Sequence, residues 1–249
     1  MLYRKLLLVI MGILLVAFAL GCSDDDDDTV TGSNGDDTDT TLVPAVPTAM
    51  AELNAPVEAM KNSDNVHVVL ASGYVERAKT FSSFLTPPSA AENAEYPGLT
   101  ADSVVYTWTD GDLTMTMVFK ETATHYYWAT ILDGTLDGIT FDNFKLIEAQ
   151  ETITGTSGWL KVFHPTEGLV FEWQWTVDVT GKFTMVLTGS DELTMFEVEI
   201  VVNVNGSGHV KYTADDLVIW RVTWNAAGTG GTYEYVVGGT TISGTWPSG

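Results

Sequence analysis

The chain has 249 residues, with 33 Asp and Glu against 11 Lys and Arg, four His, one Cys and a formal charge of −22. A nucleic-acid-binding protein gains affinity by neutralising phosphates with Lys and Arg, so this charge excludes that class. A single cysteine also excludes an internal disulfide framework and a thiolate-rich zinc site.

The first 22 residues have the pattern of a signal peptide. Arg4 and Lys5 precede an apolar run from Leu6 to Leu20, and Gly21 and Cys22 follow it. A helix of about fifteen residues would be roughly 22 Å long, which is short for a bilayer core of about 30 Å. We therefore expect a targeting segment and not a stable membrane span.

The sequence around Cys22 resembles the lipobox of bacterial lipoproteins. Ala19, Leu20 and Gly21 stand directly before this cysteine, which is the only one in the chain. The resemblance implies that Cys22 is lipidated, with acyl chains such as palmitate, and becomes the first residue of the mature protein. Ala19 departs from the pattern, because the family usually has Leu there. The alternative is an ordinary secretory signal with a chance cysteine.

An acidic run follows the cysteine. Ser23 and Asp24–Asp28 resemble the surface-export signal of lipoproteins in the Bacteroidetes and related bacteria. This resemblance implies anchoring in the cell outer membrane and exposure at the cell surface. The alternative is that the aspartates simply begin a solvated spacer.

Residues 23–45 are predicted to form a disordered acidic linker. Residues 23–42 hold eight acids and no base, so they bury too little apolar surface to fold. Residues 43–249 carry the other 25 acids and nine bases, a net charge of −16. The linker is expected to hold an acidic folded body away from anionic lipid.

Residues 46–249 are predicted to form a single β-rich domain with a helical lead-in over residues 46–90. Apolar residues at helical spacing predict one helix over residues 64–85 and a weaker one over residues 49–61, which Pro56 interrupts. Pro87 and Pro88 end the lead-in. A helix here could cover an open sheet edge or plug the end of a barrel.

From Asp102 onward the hydrophobic period changes to that of half-buried strands. The clearest segment has an apolar residue at every second position, at Leu169, Phe171, Trp173, Trp175, Val177 and Val179. Turn dipeptides recur at roughly ten-residue intervals, at Asp110-Gly111, Asp133-Gly134, Thr180-Gly181, Asn205-Gly206, Gly230-Gly231 and Gly238-Gly239. No connection is long enough for a helical crossover, so the sheet over residues 102–246 is predicted to be antiparallel.

The expected fold class is therefore mainly β: an antiparallel meander of about 12 strands as a soluble barrel or rolled sheet, with one or two N-terminal helices. A membrane barrel is the alternative, but Glu172, Gln174 and Asp178 lie near strand centres, where lipid would penalise polar groups. A weak repeat of about fifty residues relates residues 157–161 to residues 207–211, and a fainter third copy starts near Val104.

The eight tryptophans divide into two sets. Four of them lie on the apolar phase of their strands and are expected in the core, namely Trp173, Trp175, Trp220 and Trp224. The others lie in strands whose two faces are less distinct, and we expect them to be more open and to be candidate ligand-binding residues: Trp108, Trp128, Trp159 and Trp246.

No residue pattern indicates known catalytic or metal chemistry. A glycoside hydrolase needs two carboxylates across a cleft, whereas Glu172, Glu197 and Glu199 alternate on exposed strand faces. The histidines lack metal-ligand spacing, at His67, His125, His164 and His209. The acidic pairs at residues 110/112 and 215/216 are typical of turns and not of tight calcium loops. We expect no catalytic residue, no metal and no cofactor.

The sequence thus predicts a lipid-anchored cell-envelope protein that acts as a noncatalytic binding or scaffold module. Its expected partner is the membrane, through a lipid on Cys22, and no nucleic acid. Two alternatives are a carrier of a lipophilic small molecule in a barrel cavity and a surface module that binds a glycan. A glycoside hydrolase is the least favoured.

Overall fold

The computed structural model describes residues 53–80, 85–88, 91–93, 103–136, 138–190 and 194–247. The signal peptide, Cys22 and the acidic linker lie outside these residues, so the expectations about them stay predictions. Among the described residues, no helix combines the length and the apolarity that crossing a membrane would require.

Two helices precede the sheet: α1 (Val57–Lys61) and α2 (Val66–Thr80). Residues 53–56 are not helical, so the predicted helix over residues 49–61 is wrong there. Pro56 is the N-cap of α1 and does not interrupt it, because proline fits the start of a helix, where no N–H bond is lost. Asn65 caps α2, and its side-chain oxygen accepts hydrogen bonds from the backbone N–H groups of His67 and Val68.

The sheet is a meander in which each strand pairs with the next in antiparallel fashion. Its strands are β1 Glu92–Asn93, β2 Ser103–Asp110, β3 Leu113–Glu121, β4 His125–Leu136, β5 Ile139–Thr152, β6 Ser157–His164, β7 Gly168–Val177, β8 Phe183–Ser190, β9 Met195–Val202, β10 Gly208–Ala214, β11 Leu217–Trp224, β12 Gly230–Val237 and β13 Thr240–Pro247.

The predicted fold class is confirmed. Twelve strands lie between Ser103 and Pro247, with the two-residue β1 added at the β2 edge. Among the described residues β13 pairs only with β12, so the sheet is rolled and not closed into a barrel. The sheet formed by the described residues therefore has two edges, one at β1 and β2 and one at β13.

Four of the six predicted turn dipeptides connect strands, at residues 110–111, 180–181, 205–206 and 238–239. The other two predictions are wrong, because Gly134 lies within β4 and Gly230-Gly231 begins β12. At these two glycines the backbones of neighbouring strands approach each other closely, which a side chain would prevent. A Cβ on Gly134 would overlap the carbonyl oxygen of Asp112, and one on Gly231 would overlap that of Thr223.

The inner face of the rolled sheet packs around the two helices in one hydrophobic cluster. Met60 of α1 and Val68 and Val75 of α2 are fully buried there. The largest buried side chains of the sheet are Trp128 and Trp175. α1 and α2 therefore occupy the interior of the roll.

Two hairpins of the sheet share a packing device. Gly158 in β6 lies opposite Trp175 in β7, and Gly208 in β10 lies opposite Trp224 in β11. In both hairpins a side chain on the glycine would collide with the indole. Each tryptophan therefore lies flat over the neighbouring strand, which gives a physical reason for the fifty-residue spacing of this sequence pattern.

Candidate functional site

Four aromatic rings cross the inner face near one end of the sheet, and we name them the aromatic row: Phe171, Phe196, Tyr212 and Trp220. Ring centroids of successive members are 6.0, 6.2 and 5.9 Å apart. Tyr212 and Trp220 are nearly parallel, with 6° between their planes. Such cross-strand aromatic contacts each contribute about 0.5–1.5 kcal/mol beyond simple burial.

The register of the sheet builds this row. Phe171 in β7 and Phe196 in β9 both pair with Gly189 of the strand between them. Gly189 has no side chain to separate the two rings, so they meet across β8. Tyr212 and Trp220 are direct partners on β10 and β11. Period-two alternation then keeps all four rings on the inner face.

Helix α2 covers one end of the aromatic row. Tyr74 lies 6.0 Å from Trp220, and His67 lies 4.4 Å from Tyr235 of β12, measured between ring centroids. Burial lowers the pKa of His67, and its Nδ1 is buried without a hydrogen-bond partner. This end of the row is therefore apolar and holds a neutral imidazole.

The other members of the row, Phe171, Phe196 and Tyr212, are only half-buried. Exposed aliphatic side chains lie at the same end of the sheet, in the first residues of β7, β9 and β11, and we name this set the apolar rim: Leu169, Met195, Leu217 and Val218. Between 42% and 68% of each rim side chain is exposed. Apolar groups exposed together at one end of a sheet are typical of an interaction surface.

The expected tryptophan core is largely confirmed. Trp175, Trp220 and Trp224 are buried, whereas Trp173 is half-buried against the core cluster. Trp224 donates its indole N–H to the carbonyl oxygen of Gly206 at 2.8 Å. A buried indole needs such an acceptor.

Two of the tryptophans predicted to be open are buried, so that expectation is wrong for them. Trp128 is 0% exposed and Trp246 is 3% exposed. Trp246 donates its indole N–H to the carbonyl oxygen of Thr223 at 3.0 Å. Trp108 is half-buried against the core, and its Nε1 has no hydrogen-bond partner. The side chains of these three tryptophans point to the inner face of the sheet. The sequence pattern of their strands did not distinguish this face from the outer one.

Trp159 is the predicted tryptophan that lies on the outer face. It pairs with Gln150 on β5 and with Gln174 on β7. The Lys161 ammonium lies 4.9 Å from the centre of the Trp159 ring. An aromatic ring flanked by amide groups can stack on a planar or sugar-like ligand, and the lysine contact is a cation–π interaction.

The outer-face glutamates are held in ion pairs. Glu172 lies 3.6 Å from Lys161, and Glu199 lies 3.0 Å from Lys211 and 2.8 Å from His209. Burial alone would raise the pKa of Glu199, but hydrogen bonds from His209 and Lys211 outweigh it, so the pKa is lowered. A glycosidase acid needs the opposite shift. Glu199 is therefore ionised at neutral pH.

A polar groove of about 360 Å³ lies on β11–β13. Hydroxyl groups dominate its lining, from Thr223, Thr232, Ser243 and Thr245, with Arg221 and Glu234 beside them. Arg221 Nε is buried there without a hydrogen-bond partner. No group of three His, Cys, Asp or Glu that could ligate a metal occurs among the described residues.

The sequence pattern did not single out Glu151. It is 3% exposed on the inner face, and its Oε1 accepts the indole N–H of Trp175 at 3.2 Å. The alternation of β5 calls for an apolar residue at position 151, and the sequence has a glutamate there. This departure from the pattern is the signal that could have identified Glu151. Gly189 gives no such signal, because its role depends on which strands are neighbours.

Comparison with known protein families, with curated proteins and with solved structures finds no match for this chain.

Proposed function

We propose that this chain is a lipid-anchored protein of the cell envelope whose β body binds another envelope component without catalysing a reaction. The anchor is supported by the position of Cys22, the only cysteine, directly behind the apolar signal segment. The acidic linker then separates the sheet from the lipid surface, at a distance of up to about 60 Å when fully extended.

The observation that carries the binding role is the aromatic row with its apolar rim. Half-buried rings and exposed aliphatic groups lie at one end of a sheet whose inner face packs against α1 and α2. An apolar partner that covers Met195 and Leu217 would remove this surface from water. The burial of Met60, Val68 and Val75 against the inner face favours surface binding over the carrier of a lipophilic ligand, which needs an open cavity.

The binding role is tested by placing a photo-reactive benzoylphenylalanine in the full-length protein in its own host. Position Met195 on the apolar rim is the test, and position Thr176 is the matched control, since it lies exposed on the outer face of β7. We expect ultraviolet light to join the Met195 variant to a discrete envelope component that the Thr176 variant does not capture. Equal capture at both positions, or none, would contradict the role of the rim.

The anchor is tested separately by Cys22→Ala followed by detergent phase partitioning of whole cells. The native protein should enter the detergent phase, and the variant should remain an unprocessed precursor. A native protein that is processed and found entirely in the aqueous phase would overturn the anchor.

A glycan ligand is the second candidate, favoured by Trp159 between its two glutamine neighbours on the outer face. Titration with soluble polysaccharides should quench or shift the tryptophan fluorescence of the native protein. Trp159→Ala should abolish the response, whereas Phe196→Ala should retain it, because Phe196 lies on the other face of the sheet. A response that survives Trp159→Ala would exclude this site.

A further inference from the structure

Strand β13 is an uncovered sheet edge. It pairs with β12 along its whole length, from the residue pair Thr240/Val237 to the pair Pro247/Gly230. It has no other strand neighbour among the described residues. Six of its eight residues are exposed. In an antiparallel pair alternate residues bond to one neighbour, so the remaining N–H and C=O groups of β13 point away from β12.

This edge lacks the usual protection against pairing. Natural edge strands are blunted by Lys, by inward-pointing charges, by bulges or by proline within the strand. β13 has no charged residue, its register with β12 is regular, and its only proline is the last residue, Pro247. Ile242 in β13 is 40% exposed, and Val237 in the neighbouring β12 is 58% exposed.

The opposite edge of the sheet is partly covered by another strand and carries a charge. β1 covers β2 at Tyr106 and Thr107, and β2 ends at the charged residue Asp110. Of the two edges, β13 is therefore the one that offers eight consecutive residues for pairing.

The charge distribution indicates which partner fits this edge. Residues 43–249 carry a net charge of −16, yet between Val222 and Gly249 the only charged residue is Glu234. Two copies of so acidic a body repel one another wherever acidic surfaces meet. Their β13 strands can approach with no charge in the contact.

We propose that β13 pairs antiparallel with β13 of a second copy of this chain, joining two sheets into one across a two-fold axis. Such an interface uses the same strand on both sides and closes at two copies. Thr241, Ser243 and Thr245 share the outer face of β13, so the pairing aligns hydroxyl residues of both copies, and cross-strand threonine pairs stabilise sheets.

Sedimentation velocity of the full-length protein in mild detergent tests this pairing. We expect a protein mass twice that of one mature chain at micromolar concentration. The double variant Thr241→Lys/Ser243→Lys puts charges on the edge and should halve the mass. Thr176→Lys adds a charge to an exposed threonine in the middle of the sheet and should leave the mass doubled.

Single cysteines locate the contact. Oxidation should give a disulfide-linked dimer for at least one of Thr241→Cys, Ser243→Cys and Thr245→Cys, and not for Thr176→Cys, which contains the same Cys22. A native protein that sediments as one copy at tens of micromolar overturns the proposal. So does a mass that stays doubled in the two-lysine variant, or a larger open assembly, which a two-fold contact cannot form.

Discussion

Gly189 keeps the aromatic row continuous, since its missing side chain lets Phe171 and Phe196 meet across β8. A Cβ there would lie 2.6 Å from the Phe196 ring and 2.7 Å from the Phe171 ring. Gly189→Val should therefore push both rings out of their packing and cost about 1–3 kcal/mol of the free energy of unfolding. Urea denaturation followed by tryptophan fluorescence measures this loss.

Gly73 in α2 supplies the matched control. A Cβ at this position would contact nothing within 4 Å. Gly73→Ala should raise the free energy of unfolding by about 0.5–1 kcal/mol, because alanine loses less conformational freedom in a helix. The two substitutions are thus expected to have opposite signs. Equal destabilisation by both would mean that neither effect depends on the local space.

Glu151 is a buried carboxyl group that binds a buried indole. Its carboxylate accepts the indole N–H of the buried Trp175. Glu151→Leu would leave that donor without its acceptor and should cost about 1–3 kcal/mol. Glu151→Gln keeps an acceptor oxygen and should cost clearly less. Thermal unfolding of the two variants compares them, and an equally stable Glu151→Leu would show that the indole bond is not needed.

At the scale of elements, α2 gives the fold a pH dependence through His67. Burial lowers the pKa of His67 below its value in the unfolded chain, about 6.5. The unfolded state then binds more protons as the pH falls through 6.5, so the stability that is present at neutral pH decreases toward acid. His67→Phe retains a ring against Tyr235 and removes this titration.

The His67 prediction is checked by unfolding both proteins between pH 7.5 and pH 5.5. The native protein should lose more stability over this interval than His67→Phe does. The difference between the two profiles isolates the contribution of His67, because the two proteins share all other titrating groups. One of these is Glu199, whose lowered pKa places its titration at more acidic pH. Parallel profiles would show that His67 is not desolvated by the sheet.

The strands were the elements that the sequence predicted best. Alternation in β7 and β9 specifies which residues face the core, because a strand has one buried face. The start of α1 was predicted wrongly, and turns were wrongly predicted at Gly134 and Gly231, which lie within strands. These glycines look like turn residues in the sequence, but they are explained by Asp112 and Thr223 on neighbouring strands. A contact with a residue that is distant in the sequence cannot be predicted from the local pattern.

The candidate site was predicted in part. The apolar phase of β7 and β11 was correctly assigned to the core at Trp175, Trp220 and Trp224, whereas Leu169 and Val218 on the same predicted phase are exposed. The row forms on that phase. The contact between Phe171 and Phe196 was not foreseen, since it depends on the register of two hairpins through Gly189. Trp128 and Trp246 were expected to be open because the two faces of their strands are less distinct in the sequence.

For the whole molecule, the arrangement of charge separates the outer face from the last two strands. On the outer face, Lys161 pairs with Glu172 of β7, and Lys211 pairs with Glu197 and Glu199 of β9. β13 carries no charge and β12 only Glu234. Charged side chains thus keep most of the outer face solvated. The β13 edge carries no charge and can approach another chain.

The excess of acids also predicts how the folded protein responds to salt. Residues 43–249 hold 25 acids and nine bases, so repulsive pairs outnumber attractive ones, and folding brings these charges closer together. Raising NaCl from about 0.02 to 0.5 M shortens the screening length from roughly 20 Å to about 4 Å. We expect this to stabilise the fold by about 1 kcal/mol, or roughly 2–4 °C in the midpoint of thermal unfolding. Differential scanning calorimetry measures the shift, with isotonic sucrose as the uncharged control. A midpoint that falls with salt would mean that ion pairs such as Lys211–Glu199 outweigh the net repulsion.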